Sequence, residues 1–552
     1  MTRLLAVLLA FLCMTDTVWA RQPFRARNGI VVTEEPIAAD VGAAVLKSGG
    51  NAVDAAVAVA LALAVTYPVA GNLGGGGFLL ARFADGRSTF IDFRERAPRK
   101  SSRDMYLDAQ GKPTRDSIEG WRASGVPGTV RGLALAHKKY GGKPWKELVE
   151  PAVRLARDGI LVSYGLAQTL SGAAERFNRY PASKEIFGQP YQPGDTFIQR
   201  DLARTLERIS RDPDDFYDGQ TAHKLAKAMA ANGGLITLED LKAYKPIERE
   251  VLKGKYKDFE ILTAPPPSSG GIGLLQMLGV LEGSQYKEAG WGAAATIHYI
   301  VETMRRYYAD RSEYLGDPDF TKVPVRALTH PEYIRKVRSS IDAERASSSE
   351  SVRPGSLGAY ESSETTHFSI VDKAGNAVSL TYTLNGGHGS GVTAPGLGFL
   401  LNNEMDDFAA KPGMANMFGL VQGEANAIKP GKRPLSSMTP TILVRDGKLF
   451  MVVGGPGGGR IITSVLQTIL NVVDFGMNVQ DAVDAPRFHH QWMPDKITME
   501  RGFSPDTIRL LQQRGHTVET ASAVARVFAI VVENGWVQGG ADGRSYGKSE
   551  GF

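Results

Sequence analysis

Only one cysteine occurs in this sequence, Cys13, and it lies within the first twenty residues. Those residues read as a secretory signal. Arg3 gives a short basic start, Leu4 to Met14 is apolar, and Val18-Trp19-Ala20 forms the cleavage site. Once the signal leaves, the chain can form no disulfide, carry no thiol nucleophile and bind no metal through a thiolate. Long hydrophobic runs are also missing. The apolar run of the signal falls short of the roughly 20 residues that span a bilayer, and later segments of that length carry charges. Leu12 is too large to precede a lipidated cysteine, so no lipid anchor at Cys13 is expected. The expectation is an exported, soluble protein. The net charge is only +5 over 552 residues, with lysines and arginines dispersed, which gives no footprint for nucleic acid. A large core can replace disulfides, because a chain of this length buries roughly three-quarters of its unfolded surface.

Patterning predicts an α/β start. Gly29 to Thr33 reads as a strand and Ala38 to Leu46 as a helix. Asn51 caps a second helix from Ala52 to about Tyr67, ended by Pro68 and apolar on nearly every face. Glycines 74 to 77 lead into a strand, Phe78 to Phe83. From about Lys100 to Arg345 the pattern is mostly helical, with Tyr299 to Tyr314 a long helix carrying arginines on one face, and Pro265 to Gly271 a loop. Ala346 to Glu364 is small and polar, as an exposed flexible segment would be. Beyond it the period turns to two. Thr366 to Val371, a turn at Lys373 to Asn376, and Ala377 to Leu384 read as a hairpin. Thr441 to Val444 and Leu449 to Val453 read as another strand pair, and Ile461 to Val473 as a helix. No internal repeat is evident.

Several motifs fail on their context. Gly454 to Arg460 lacks the Lys-Ser/Thr ending of a phosphate loop. Glycines 74 to 77 lead into a strand, so they do not suit a dinucleotide. Gly543-Arg544-Ser545-Tyr546-Gly547 spells a nucleophile elbow but has no following helix or histidine. His489 and His490 are adjacent on an extended segment, so their side chains diverge and no metal site is expected there.

The segment Glu364-Thr365-Thr366-His367 offers different chemistry. An interior threonine is a weak nucleophile. A cut just before Thr365 would free an α-amino group beside its own hydroxyl, able to take that proton. The segment upstream would admit a cut, and the hairpin downstream would hold the new terminus. The two glycine-rich loops could present backbone N–H groups at close range.

The chain resembles the γ-glutamyltransferases (γ-glutamyltranspeptidases) of the bacterial secreted type, within the N-terminal-nucleophile hydrolases. The resemblance rests on G-G-N-A-V-D-A-A-V-A from Gly49, A-G-N-L-G-G-G-G-F from Ala70, D-F-R-E at Asp92 and A-D-R-S-E-Y-L-G-D-P at Ala309. It continues with T-T-H-F-S at Thr365, N-N-E-M-D-D-F at Asn402, K-R-P-L-S-S-M at Lys432 and G-G-P-G-G-G-R-I at Gly454. It implies a precursor that cleaves itself between Glu364 and Thr365 into a large subunit, 21–364, and a small one, 365–552. The implied fold is an α/β (α+β) four-layer αββα sandwich built by the subunits as a heterodimer.

The resemblance also implies roles. Thr365 is the nucleophile, oriented by Thr383, and Gly457 and Gly458 form the oxyanion hole. Arg94 takes a substrate α-carboxylate in a fork, with Ser436 and Ser437 adding hydrogen bonds. Asn385, Glu404 and Asp407 hold the α-ammonium. Lys411 to Asn426 matches a lid, with Phe418 at the tip where the family often has tyrosine. Glu404 stands where relatives can have glutamine. The implied reaction moves a γ-glutamyl group from glutathione or a similar compound, through an ester on Thr365, to water, an amino acid or a dipeptide. It uses no cofactor or metal and takes place in the periplasm or outside the cell. The alternatives are a cephalosporin (glutaryl) acylase or poly-γ-glutamate depolymerase on the same scaffold, or a non-catalytic exported binding protein. His388 is given no role.

Overall fold

A computed structural model describes residues 21–352 and 365–552. The signal segment and Glu364 lie outside the described residues, as does most of the stretch expected to be flexible. Among the described residues, no helix is long and apolar enough to cross a membrane.

Two seven-stranded sheets make the centre. In spatial order the first runs Lys548–Gly551, Ile30–Thr33, Thr366–Val371, Ala377–Thr383, Gly76–Arg82, Ser88–Asp92 and Ile247–Arg249. The second runs Phe24–Ala26, Trp536–Ala541, Phe528–Glu533, Lys448–Gly454, Thr441–Arg445, Phe259–Thr263 and Leu252–Tyr256. Every pairing within both sheets is antiparallel. The sheets pack face to face, with helices outside each, giving four layers. Both sheets mix strands from before and after residue 365.

Strand alternation sorts the side chains. Leu79 and Ala81 join the core beneath the outer helices, while Phe78 and Leu80 join the core that reaches the second sheet. The helix Ala52–Thr66 covers the first sheet. Asn51 and Asp54 form its capping box, and all fifteen residues are buried, as its all-round apolarity requires. Helices Gly270–Glu282 and Arg460–Val473 cover the second sheet.

Three expectations change. The strand read as starting at Phe78 begins at Gly76, because its glycines pair with the partner strand. A Cβ on Gly77 would meet the Thr381 carbonyl oxygen at 2.4 Å. The mostly helical middle also supplies the strands Ile247–Arg249, Leu252–Tyr256 and Phe259–Thr263, the first two at sheet edges. The long helix, read from Tyr299, starts at Ala294, and Arg305, Arg306 and Arg311 on it are buried. The first two anchor the start of the segment expected to be exposed. Arg305 and Arg306 contact Ser349 and Ser347, Asp495 accepts the Ser349 N–H at 2.7 Å, and Trp492 Nε1 donates to the Ser349 and Val352 carbonyls at 2.8 Å.

Between the sheets, along the strand Thr366–Val371, the contacts are polar. His367 Nδ1 lies 2.8 Å from Thr381 Oγ1, and its Nε2 lies 3.1 Å from Ser369 Oγ. Ser369 donates to the Phe528 carbonyl and Ser379 to the Val453 carbonyl, both at 3.1 Å. The His367 ring rests on Gly454, where a Cβ would stand 2.3 Å from the ring. Overpacking of a filled core typically costs about 1–3 kcal/mol, so Gly454→Ala is expected to lower the unfolding free energy from urea titration by that much. The loss should shrink when Gly454→Ala is made in a His367→Ala background. An equal loss in both backgrounds, read from a double-mutant cycle, would rule out the ring contact as its cause.

Candidate active site

Thr365 immediately precedes its strand and is 4 % exposed. Its Oγ1 lies 3.3 Å from Thr383 Oγ1, on the last residue of the paired strand. Thr383 Oγ1 also accepts the Asn385 N–H at 2.8 Å. The strand therefore leaves the sheet in a turn that points its last hydroxyl at Thr365. Asn385 holds φ +78° there, and its Nδ2 donates to the Asn403 carbonyl at 3.0 Å. The glycine run beginning at Gly74 has its reason here. Asn72 Nδ2 donates to the Thr383 carbonyl at 2.9 Å, and a Cβ on Gly75 would stand 2.0 Å from that carbonyl oxygen. These glycines permit close packing beneath Thr383.

One small cavity, about 20 Å³, gathers the residues expected from sequence. Thr365, Thr383 and Gly458 line it, with Arg94, Asn385, Glu404, Asp407, Ser436, Ser437 and Phe418. Gly457 does not; its Cα faces Ala525. Gly459, Leu420, Met438 and Ile461, which the motif reading did not single out, complete the wall. The glycine loop opens the helix Arg460–Val473, so backbone N–H groups and the positive helix end meet the cavity.

Arg94 is 1 % exposed and is not an open fork. Its Nε donates to the Pro434 carbonyl at 3.3 Å and its Nη2 to the Leu435 carbonyl at 3.1 Å. Nη2 also meets Asp407 at 2.5 Å, and Nη1 contacts Glu404. Burial raises the Glu404 carboxyl, against the pull of Arg94. The pairs that would receive a substrate's two charges thus satisfy each other in this state. A zwitterion would exchange partners with them, its carboxylate going to the guanidinium and its ammonium to the carboxylates. Removing Arg94 would strand buried carboxylates, typically a loss of about 3–5 kcal/mol. An Arg94→Ala variant would therefore lose stability as well as binding.

Ser437 Oγ accepts from Arg311 Nη2 at 3.0 Å, and Arg311 Nε donates to Ser269 Oγ at 3.0 Å. Ser436 Oγ accepts the Met438 N–H at 3.1 Å, and the Ser436 carbonyl accepts from Ser269. The loop 265–271 therefore supports the serine pair, and the motif at Ala309 supplies the arginine behind it. The segment expected to be a lid packs against the cavity, which Phe418 and Leu420 line. Phe418 packs on Gly458, whose added Cβ would meet its ring at 2.8 Å. Asn416 Nδ2 donates to Asp407 at 3.1 Å, and Gln491 Nε2 donates to the Gly419 carbonyl at 3.0 Å.

The other motifs have structural roles. Arg544 pairs with Glu500 and Asp542. His489 lies 2.8 Å from Thr463 Oγ1 and His490 lies 3.2 Å from Asp495, so the two rings diverge. Among the described residues one cluster, His298, Glu302 and His516, could approach a cation. Glu302 is already engaged by Arg305 and Arg306, and the two histidines face each other at 2.7 Å. That donor set is poorly suited to a second positive charge. His388 takes φ +62° in the turn after Asn385 and stacks edge-on against Phe177.

Burial, helped by Arg176, lowers the His388 pKa to about 3, below the unfolded value near 6.5. Below that value the unfolded chain takes a proton that the folded chain refuses. The contribution is therefore full above pH 6.5 and falls as pH drops, by up to about 1.4 kcal/mol per pH unit. His388→Asn, which tolerates the same backbone, should flatten the stability-versus-pH curve between pH 6.5 and 4 by that amount. Urea titrations across that range check it, and an unchanged slope would exclude a neutral buried His388.

The sequence profile described as gamma-glutamyltranspeptidase matches residues 38–552. A glutathione hydrolase proenzyme of Escherichia coli (strain K12) is 51 % identical over 534 residues, covering 96 % of this chain and 91 % of the relative. Among solved structures, cephalosporin acylase from Bacillus halodurans superposes with a TM-score of 0.86 at 28 % identity, covering 98 % of each chain. The Helicobacter pylori gamma-glutamyltranspeptidase gives 0.57 at 44 % identity, covering 58 % of this chain and 93 % of that one.

Proposed function

This chain belongs to the gamma-glutamyltranspeptidase family, and on that premise we propose how its cavity works. The protein is an enzyme, a hydrolase and acyltransferase for γ-glutamyl compounds, made as a proenzyme. In maturation Thr365 Oγ1 attacks the carbonyl carbon of Glu364. The C–N bond to Thr365 breaks, its nitrogen becomes an amine, and water hydrolyses the ester left behind. The products are the large subunit, 21–364, and the small subunit, 365–552, which stay together because both central sheets draw strands from each.

In turnover the freed amine, with a reference pKa near 7.7–8.0, takes the proton from Thr365 Oγ1 as the oxygen attacks the γ-carbonyl carbon. Thr383 holds the hydroxyl in place. The N–H groups of Gly457 and Gly458 receive the developing oxyanion, a donor of this kind being worth about 2.7–4 kcal/mol. The C–N bond to the leaving amine breaks and the proton passes to that amine. Water, an amino acid or a dipeptide then attacks the ester. None of these steps calls for a metal or cofactor. Glutathione is the donor that fits the family's name, and export through the N-terminal signal would place the enzyme in the periplasm or beyond.

What supports this reading is one cavity that joins Thr365 and Thr383 to Arg94, Glu404 and Asp407. Nucleophile and amino-acid charge set face the same space. The carboxylate pair favours a donor with an α-ammonium over a glutaryl amide, which lacks one.

Thr365→Ala should give one band on a denaturing gel where the wild type gives two, and should lose essentially all turnover. Two bands cut at the same site in that variant would sink the mechanism. The mature enzyme should hydrolyse a γ-glutamyl anilide at least tenfold better in kcat/KM than the matching glutaryl anilide. A preference for the glutaryl compound would instead favour an acylase.

A further inference from the structure

The long helix Ala294–Tyr314 sends one side chain into the glycine loop. Tyr308 is 2 % exposed, and its hydroxyl donates to the Gly459 carbonyl. That carbonyl shares a planar peptide unit with the Arg460 N–H, which donates to the Gly457 carbonyl at 3.1 Å. The Gly457 carbonyl in turn shares its peptide unit with the Gly458 N–H. Both units are trans, so in each the carbonyl and the N–H point in opposite directions. Holding the Gly459 carbonyl therefore constrains, through one further hydrogen bond, the direction of the Gly458 N–H. The loop needs such a hold because its backbone restrains itself little. Gly457 and Gly458 take φ +141° and +56°, and glycine passes readily between conformations.

We propose that Tyr308 is a positioning residue for the transition state, fixing the peptide units of the glycine loop so that the Gly458 N–H stays aimed at the oxyanion. This rests on the reading of Gly458 as an oxyanion donor. Such a donor works by being aligned before the charge develops. The tyrosine is itself held in place. Its ring meets His489 edge-on with centroids 5.5 Å apart, and His489 lies 2.8 Å from Thr463 Oγ1 on the helix that the loop opens. Burial pushes the phenol well above its ordinary pKa of 10.0, so it keeps its proton to donate. The neighbouring Tyr307 serves a different wall, donating to the Ser269 carbonyl at 2.8 Å. With phenylalanine at 308 the ring would still fill its space while the Gly459 carbonyl lost its side-chain donor. Arg94, Glu404 and Asp407 would be untouched. The loss would fall on the transition state and spare ground-state binding.

The test compares two inhibitors of γ-glutamyl anilide hydrolysis by the mature two-chain enzyme. L-Glutamate reports ground-state binding. The glutamate analogue with a boronic acid in place of the γ-carboxyl reports the transition state, because Thr365 Oγ1 adds to boron as its proton passes to the freed amine. The tetrahedral adduct puts an oxygen where the oxyanion forms. Tyr308→Phe should lower kcat/KM by about tenfold or more, short of the roughly 100- to 1000-fold cost of deleting a donor. Boronate affinity should fall by about the same factor, while L-glutamate stays within about twofold of wild type. Equal weakening of both inhibitors, or no loss of boronate affinity, would overturn the proposal. Tyr308→4-aminophenylalanine keeps a donor in place and should recover kcat/KM to within about threefold of wild type; no recovery would also overturn it. If Tyr308→Phe does not mature, its precursor is compared in urea with uncleaved Thr365→Ala. A less stable precursor would make the tyrosine a packing group and overturn the proposal. An equally stable one would extend the same hold to the maturation attack, and 4-aminophenylalanine must then restore both cleavage and turnover. A boronate that binds the wild type no tighter than L-glutamate would refute the oxyanion reading itself. A boronate tight on the wild type and equally tight on Tyr308→Phe would refute only the role of Tyr308.

Discussion

The site depends on how close the two sheets come at His367 and Gly454. Thr365 immediately precedes a strand of the first sheet, and the Gly455–Gly459 loop leaves a strand of the second. Nothing in either strand alone brings them together. The contact that does is a buried imidazole lying on a glycine, with both ring nitrogens occupied by hydroxyls. Burial holds the His367 pKa near 3, so the ring stays neutral at any pH where the enzyme would work. It needs no charged partner and can serve as a fixed spacer. Ser369 and Ser379 continue the seam to carbonyls of the facing strands. A polar seam has stricter geometry than an apolar one, because a displaced hydroxyl leaves a buried group unsatisfied.

The charge cluster is a second constraint, tied to the first through the turn at Thr383 to Asn385. Arg94, Glu404 and Asp407 are satisfied by one another, so the cavity keeps its shape without a substrate. Preorganisation of this kind spares the cost of ordering charged side chains on binding. It also means that binding is an exchange of partners, and selectivity follows from that. A ligand with both an ammonium and a carboxylate can replace both halves of the ion pairs, whereas a ligand with one charge leaves the other half unmatched in a space closed to water.

Much of this was legible in the chain because the motifs are local. Thr365 and Thr383 fall on adjacent strands of a hairpin whose period-two pattern and Lys373–Asn376 turn are plain in the sequence. The cap at Asn51 and the buried helix after it were equally readable. What was not legible depends on distant partners. The arginines of the long helix could be placed on one face but not buried, since nothing in local spacing announces Asp495 or Trp492 nearly two hundred residues later. Edge strands such as Ile247–Arg249 are too short to carry a period. Glu95 stands next to Arg94 in the motif at Asp92, yet strand alternation would send the two apart. Only the fold shows the Glu95 carboxylate 4.0 Å from the Arg94 guanidinium.

Phe418 raised a question at the lid, since a phenylalanine there has no hydroxyl with which to hold it shut. The lid is held through other groups. Gln491 binds the carbonyls of Phe418 and Gly419, and Asn416 links the lid to Asp407. The ring itself is a wedge against Gly458, leaving room for about one water in the cavity. If a glutamyl group binds here as proposed, that wedge would have to withdraw, uncovering the loop that would receive the oxyanion. Asn416 sits on the carboxylate that would take the ammonium. This segment therefore touches both ends of the proposed donor site, by steric contact at Gly458 and by a hydrogen bond at Asp407. Glycine at 458 serves two demands, the approach of a substrate oxygen when the lid is open and of an aromatic ring when it is shut, and a side chain there would obstruct both.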